Sequence, residues 1–204
     1  MTLAQKLREA MDLGRSRSPI LLEGDQRDPL AGPDQPVTPA AVLVPIVDRP
    51  VPTVILTLRP ETMRKHPGQV SFPGGRIDPE DDGPVDAALR EAEEEIGLSA
   101  GFVETLCLGP DYLTGSGYHV APVIAIVRPG FALKLNPAEV ADAFEVPLSF
   151  LMDPANHHRG SRVWEGATRY FFEMPYGDRH IWGITAGILR VLYERLYREP
   201  AEAA

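Results

Sequence analysis

Apolar and polar residues along this chain repeat at two periods, and each change of period marks an element. Leu3, Leu7 and Met11 stand four apart, which predicts a short helix over residues 2–12. Residues 14–38 break every period with Gly, Pro and charge and predict an extended arm or loop. Two near-continuous apolar runs follow, AAVLVPIVD at 40–48 and TVILTLR at 53–59, joined by the turn-forming RPVP. They predict neighbouring strands buried on both faces. Pro45 predicts an edge or a bulge within the first run, because proline brings no N–H to a central ladder.

Further on, PGQVSFPGG at 67–75 predicts a glycine-rich bend leading into the acidic loop DPEDDG at 78–83. Pro84 is placed to open a helix, where its missing N–H costs nothing, and Gly97 is placed to close it. Val85, Ala88, Leu89, Ala92 and Ile96 form an apolar stripe between them. VETLCLG at 103–109 and VAPVIAIVRPG at 120–130 read as strands, PLSFLMD at 147–153 as one or two helical turns, and RYFFEMPY at 169–176 as another strand. The last element, ITAGILRVLYERLY at 184–197, is an amphipathic helix turning Ile184, Ile188, Val191, Leu192 and Leu196 to the core. Strands and helices interleave without the βαβ spacing of a doubly wound fold. The prediction is an α/β fold in which helices cover both faces of a mixed sheet.

Composition narrows the function classes. A chain of 204 residues, 44% of them hydrophobic, suits one catalytic-size domain, expected over 38–199, with 1–37 as an N-terminal helix and arm. A net charge of −9 argues against nucleic acid or an anionic membrane as partner, so an anionic substrate must be drawn in locally by a metal or a few arginines. The single Cys107 excludes an internal disulfide framework and a four-cysteine metal site, and is expected as a buried small side chain. No stretch reaches the roughly 18 apolar residues of a membrane span, and the N-terminus lacks an apolar leader, so a cytoplasmic protein is expected. A homodimer is left open, with residues 14–38 available as an arm. His157 and His158 lack an acidic partner at ligand spacing and are expected to face solvent. Tyr118, Phe144, Phe171, Phe172 and Trp182 are expected in the core.

The candidate chemistry lies in Arg90-Glu91-Ala92-Glu93-Glu94-Glu95-Ile96-Gly97. On a helix, Glu91, Glu94 and Glu95 fall three and four apart and converge on one patch, while Glu93 points away. Like charges so close repel, and a hard cation with oxygen ligands offsets them. Mg2+ or Mn2+ fits, whereas zinc would recruit histidine or cysteine, which this helix lacks. Arg90 is placed to hold Glu94 or a neighbouring carboxylate in a ligating rotamer. The bend Phe72-Pro73-Gly74-Gly75 in front allows close backbone approach and can add a carbonyl ligand. From Arg76 to Glu95, nine carboxylates stand against two arginines, an excess that calls for a cation or solvent.

These residues resemble a Nudix box, whose pattern is G, five residues, E, seven residues, R-E-U-x-E-E-x-G-U with U aliphatic. Arg90, Glu91, Glu94, Glu95, Gly97 and Leu98 match its second half, with a small Ala92 at the first U. The first half departs. Asp82 stands seven residues before Arg90 in place of glutamate, and six residues rather than five separate it from Gly75. The preceding stretch LTLRPETMRKHPGQVSFPGG, 56–75, is similar to the signature of the coenzyme A diphosphatase branch, and so are DYLTGSGYHVAPV at 111–123, NPAEVADAFEVPLSFL at 136–151 and IWGITAGIL at 181–189.

The resemblance implies a Nudix-type α/β/α sandwich with a mixed sheet between helices. It implies metal-dependent cleavage of the diphosphate of coenzyme A or its thioesters to 3′,5′-ADP and 4′-phosphopantetheine or its acylated form. The alternative is the same chemistry on ADP-ribose or another nucleoside diphosphate derivative. By family pattern Glu91, Glu94 and Glu95 are metal ligands, joined by the Gly75 carbonyl. The general base is either a box glutamate, with Glu94 a candidate, or a later carboxylate, for which Glu139 stands. Arg59, Arg64, His66, Gln69 and Ser71 are the candidates for substrate contact, the arginines because a guanidinium fork matches phosphoryl oxygens.

Overall fold

The computed structural model describes residues 1–13, 37–63, 66–114, 117–164 and 166–197. Arg64 and all but the last two residues of the predicted arm lie outside them. Helix α1 spans Leu3–Leu13, α2 Pro84–Ile96, α3 Leu148–Leu151 and α4 Ile184–Tyr197. The strands are β1 Thr38–Val47, β2 Thr53–Leu58, β3 Val70–Ser71, β4 Gly74–Arg76, β5 Val103–Leu108, β6 Tyr112–Leu113, β7 Tyr118–Val127, β8 Asp142–Pro147, β9 His158–Trp164, β10 Ala167–Tyr176 and β11 Arg179–Trp182. The first eight form one mixed sheet ordered β3-β2-β1-β7-β5, with β4 on β1, β6 on β7 and β8 on β2. Strands β1 and β7 run parallel along their full length, and the other pairs are antiparallel.

Alternation along β1 explains its unbroken apolar run. Ala41, Leu43 and Val47 pack with Ala87, Ala88, Ala92 and Ile96 of α2, while Val44 and Ile46 turn to a second core shared with α1 and α4. The predicted α/β arrangement, a mixed sheet between helices, is therefore the observed one. In α2, Ala87 is fully buried and Val85 and Leu89 only partly so. The alanine face lets the helix axis approach β1 closely. Gly97 closes α2 in a left-handed conformation, φ 67°, with its N–H and that of Leu98 reaching back to Glu93 and Ala92.

Pro45 corrects the expectation of an edge position. It lies mid-strand in β1, opposite Ala125 of β7. The Leu43 N–H bonds the Pro73 carbonyl, so the ring nitrogen of Pro45, two residues on, faces the same side. There β1 has left β4, paired through Val42, and has not yet met β2, paired from Ile46. The missing N–H falls in that gap.

The other three strands form a separate antiparallel sheet, β11-β10-β9, of which the apolar pattern announced only β10. Phe172, Met174 and Ile181 turn its inner face into the core shared with α4. His157 is half-buried rather than solvent-facing. Its Nε2 lies 2.8 Å from the Leu151 carbonyl and its ring stands edge-on to Tyr193. Of the aromatic residues expected in the core, Phe172 is buried, and Tyr118, Phe144, Phe171 and Trp182 are only partly covered. Cys107 is likewise partly buried. No described helix is long and apolar enough to cross a membrane.

Candidate active site

Helix α2 starts after the acidic loop, and four of the five residues before Ile96 are glutamates. Its register divides them. Glu95 turns inward and is 5% exposed, Glu91 is half-buried, and Glu93 and Glu94 face solvent. Candidate ligand oxygens of Glu91, Glu95 and Glu139 lie within 4.8 Å of one another. Glu94 lies outside this cluster, 56% exposed and paired with Arg90 at 3.1 Å.

Glu139 reaches the helix through backbone bonding. The Lys134 N–H bonds the Ile96 carbonyl and the Asn136 N–H bonds the Glu95 carbonyl, which hangs the loop on the end of α2. Asn136 then donates from Nδ2 to Glu139 at 3.3 Å. The Ala141 N–H bonds the Leu58 carbonyl and leads the chain into β8.

The glycine bend closes the other side. The Gly74 N–H donates to Glu95 at 3.1 Å. A Cβ on Gly75 would collide with the Glu91 carboxylate, so only glycine lets the backbone lie against that group. Burial raises the Glu95 pKa to about 7, against the Gly74 N–H and Arg59, with Glu91 and Glu139 adding to the rise. Burial also raises Glu91, opposed by Arg90. An oxygen-only cluster of carboxylates that resists ionisation, with a glycine backbone packed on it, suits a hard divalent cation.

Arg90 holds this arrangement by its whole guanidinium. Nε and one terminal nitrogen grip Asp81 at 2.9 and 3.0 Å, the other nitrogen reaches Glu91 and Glu94, and the Arg76 carbonyl accepts a fifth bond. Arg90 and the Asp78 N–H hold the Asp81 carboxyl below the usual range. Asp81, with its side chain 3% exposed, thus takes the outer acidic position, and not Asp82, whose N–H bonds Asp86. Counting five residues forward from Gly75 finds Asp81, whereas counting back from Arg90 finds Asp82. The extra residue therefore lies after Asp81.

Among the substrate candidates, Arg59 follows β2 and lies within electrostatic reach of Glu95. Its Nε is buried with no hydrogen-bond partner among the described residues. Its N–H bonds the Gln69 carbonyl at 3.0 Å. The Ser71 hydroxyl lies 3.0 Å from that of Thr57, and His66 is exposed with φ 54°. Arg64 lies outside the described residues. A cavity of about 440 Å³ between α1, β5 and α4, lined by Arg8, Cys107 and Arg195 among others, shares no residue with the carboxylate cluster.

A mixed sheet between helices, with carboxylates from a capped helix and a following loop gathered at a glycine bend, defines an α/β protein with a candidate site for a divalent cation. The chain belongs to the Nudix hydrolase family, for the NUDIX domain model matches residues 37–164. A protein described as uncharacterized Nudix hydrolase NudL, from Yersinia pestis strain Pestoides F, is 41% identical over 157 residues, 77% of this chain and 79% of that protein. Its namesake in Yersinia pseudotuberculosis serotype O:1b matches to the same extent. The solved Ap4A hydrolase of C. elegans aligns with a TM-score of 0.47 and 20% identity over 54% of this chain and 80% of that one.

Proposed function

We propose that this chain hydrolyses the diphosphate linkage of a nucleoside diphosphate derivative, and that coenzyme A or one of its thioesters is the preferred substrate. The broader reading is supported by one observation, the Glu91–Glu95–Glu139 cluster with Arg59 in electrostatic reach of Glu95, its buried Nε without a partner among the described residues. The narrower one adds the resemblance of residues 56–75 to the coenzyme A branch. ADP-ribose or another nucleoside diphosphate derivative fits the cluster equally well.

Glu91 and Glu95, with Glu94 at the edge and the Gly75 carbonyl, would hold Mg2+ or Mn2+, with the Glu139 carboxylate beside them. When bound, the cation supplies charge neutralisation and Lewis acidity at the diphosphate. Arg59 pairs with phosphoryl oxygens and stabilises the charge that builds on them. Arg64, His66, Gln69 and Ser71 contact the rest of the substrate. Glu139, steadied by Asn136, accepts the proton of the attacking water. The water oxygen joins one phosphorus as the bond from that phosphorus to the bridging oxygen breaks, leaving two phosphate monoesters.

The test is product formation from coenzyme A, resolved by mass, with Mg2+ or Mn2+ and again with chelator, beside ADP-ribose as competitor. The expected result is 3′,5′-ADP and 4′-phosphopantetheine only with metal. Preferential cleavage of ADP-ribose would overturn coenzyme A while keeping the diphosphatase.

A further inference from the structure

Strand β11 ties together the two segments that flank the site. Asp142 of β8 and Val70 of β3 lie on either side of Leu58 in β2, each directly opposite it. At one end of β11, Arg179 bonds Asp142 at 2.6 Å, and its guanidinium lies 4.8 Å from the centre of the Phe144 ring. Just past the other end, a Cβ on Gly183 would stand 3.6 Å from Gln69 Nε2, and the Thr185 hydroxyl donates to the Val70 carbonyl at 3.0 Å. Four residue steps of strand span about 13 Å and two strand spacings about 10 Å, so β11 is long enough to reach from β8 to β3.

The Arg179 end closes the loop that carries Glu139. That loop brings Glu139 to Glu91 and Glu95, with ligand oxygens of the three within 4.8 Å, and like charges so close push it away. It therefore needs a hold on both sides. Its start hangs on α2, through the bond from the Asn136 N–H to the Glu95 carbonyl. Its end is held at β2 and β11: Val140 is buried, the Ala141 N–H donates to the Leu58 carbonyl, and the next residue, Asp142, meets Arg179. Arg179 is steadied in turn by the face of Phe144 and by Asp178, 3.5 Å from its Nε.

We propose that Arg179 is a positioning residue for the reaction, its bond to Asp142 fixing the Glu139 carboxylate against Glu91 and Glu95. This rests on the diphosphatase reading, with Glu139 as the group that accepts the proton of the attacking water. Arg179 acts through three residues of backbone. Glu91 is held separately by Arg90, and Glu95 by the Gly74 N–H. Loss of Arg179 should therefore shift Glu139 and leave metal binding intact.

Steady-state kinetics on coenzyme A and ADP-ribose with Mg2+ test this in Arg179→Ala, Arg179→Lys, Asp142→Ala and the double alanine variant, with Mn2+ titrations and thermal melts alongside. Arg179→Ala should lower kcat about tenfold and keep KM and Mn2+ affinity within about twofold. It should melt within about 4 °C of wild type, as expected for a partly exposed ion pair. Arg179→Lys, which keeps a cation in reach of Asp142, should recover most of kcat. Asp142→Ala removes the same contact from the other partner and should show the same loss, the double variant no more than either single one. In a Glu139→Gln background, Arg179→Ala should lower the residual kcat by less than about twofold. Unchanged kcat in a folded Arg179→Ala or Asp142→Ala protein, or an undiminished loss on top of Glu139→Gln, overturns the assignment. A parallel fall in Mn2+ affinity overturns it too, because the strand would then shape the whole site and not Glu139. If wild type cleaves neither substrate with metal, the diphosphatase reading fails, and the positioning role with it.

Discussion

Helix α2 and the β9–β11 sheet each hold side chains out of their most stable surroundings, but by different physics. On α2, Glu91 and Glu95 are drawn out of water next to Glu139, and both carboxyls resist ionisation. The helix withstands this because its other face is pinned by alanines to β1 and its ends are fixed by Pro84 and Gly97. On the β9–β11 sheet, Phe171 and Trp182 keep partial exposure although their neighbours Phe172 and Ile181 are buried. One region carries electrostatic repulsion that a cation relieves. The other carries incompletely covered apolar surface. Changes on α2 should therefore act on turnover and leave folding intact or improved, whereas changes to the sheet's aromatic packing should act on folding.

The comparison is sharpest at Glu95. Glu95→Gln is predicted to lower kcat/KM by about 100-fold or more, since a proposed ligand loses its charge. The amide oxygen still accepts from the Gly74 N–H, so the metal-free fold should melt no lower than wild type at pH 7.5. Steady-state kinetics and a thermal melt check both halves. Wild-type turnover in the folded variant would remove Glu95 from the chemistry.

Next comes the loop that precedes α2. Asp81→Ala should cost about 10- to 100-fold in activity by releasing Arg90, which orients Glu91 and Glu94. Asp82→Ala should stay within about twofold. Apparent metal affinity, read by titrating Mn2+, should fall with the first variant alone. Equal effects at both positions would show that the Asp81–Arg90 pair does not position the ligands.

The same contrast governs what was legible in the sequence. A helix writes its geometry locally: Glu91 and Glu95 are one turn apart, and their convergence follows from 3.6 residues per turn. Pro84 and Gly97 likewise announced their own roles. Glu139 is brought to Glu95 by the bond from Asn136 to the end of α2, which no periodicity encodes, and only the family resemblance pointed to it. Asp81 was hidden by a one-residue insertion that counting from either end resolves differently. Pro45 was misplaced because the gap between β4 and β2 is made by residues 30 positions downstream. The β9–β11 sheet was the least legible. Its strands carry arginine, glycine and histidine where alternation should show, and its aromatic surface arises from cross-strand neighbours such as Gly160 and Phe171.

A third effect separates metal-free from metal-bound protein. Glu95 titrates near 4.5 when unfolded and near 7 when folded, so between those values the folded chain holds more protons. Stability of the metal-free protein should therefore fall as pH rises from about 4.5 to about 7, by roughly 3 kcal/mol, and Glu91 adds in the same direction. Saturating Mg2+ should reverse the trend, because a cation binds the ionised form. Urea melts at several pH values with chelator or Mg2+ measure it, and Glu95→Gln should flatten most of the metal-free slope. A slope of the opposite sign without metal would refute the burial of an unpaired carboxyl.

The smallest effect tests the sheet alone. Adding one methyl group at Gly160 forces it against the Phe171 ring, which is backed by Trp182 and has little room to swing. Gly160→Ala should cost about 1–2 kcal/mol of stability, within the range for overpacking, even though alanine suits a strand better than glycine does. The pH trend of the metal-free protein should persist unaltered, since Glu95 lies in the other core layer. If Gly160→Ala raised stability instead, Phe171 would be free to move, and its packing across β9 would not be fixed.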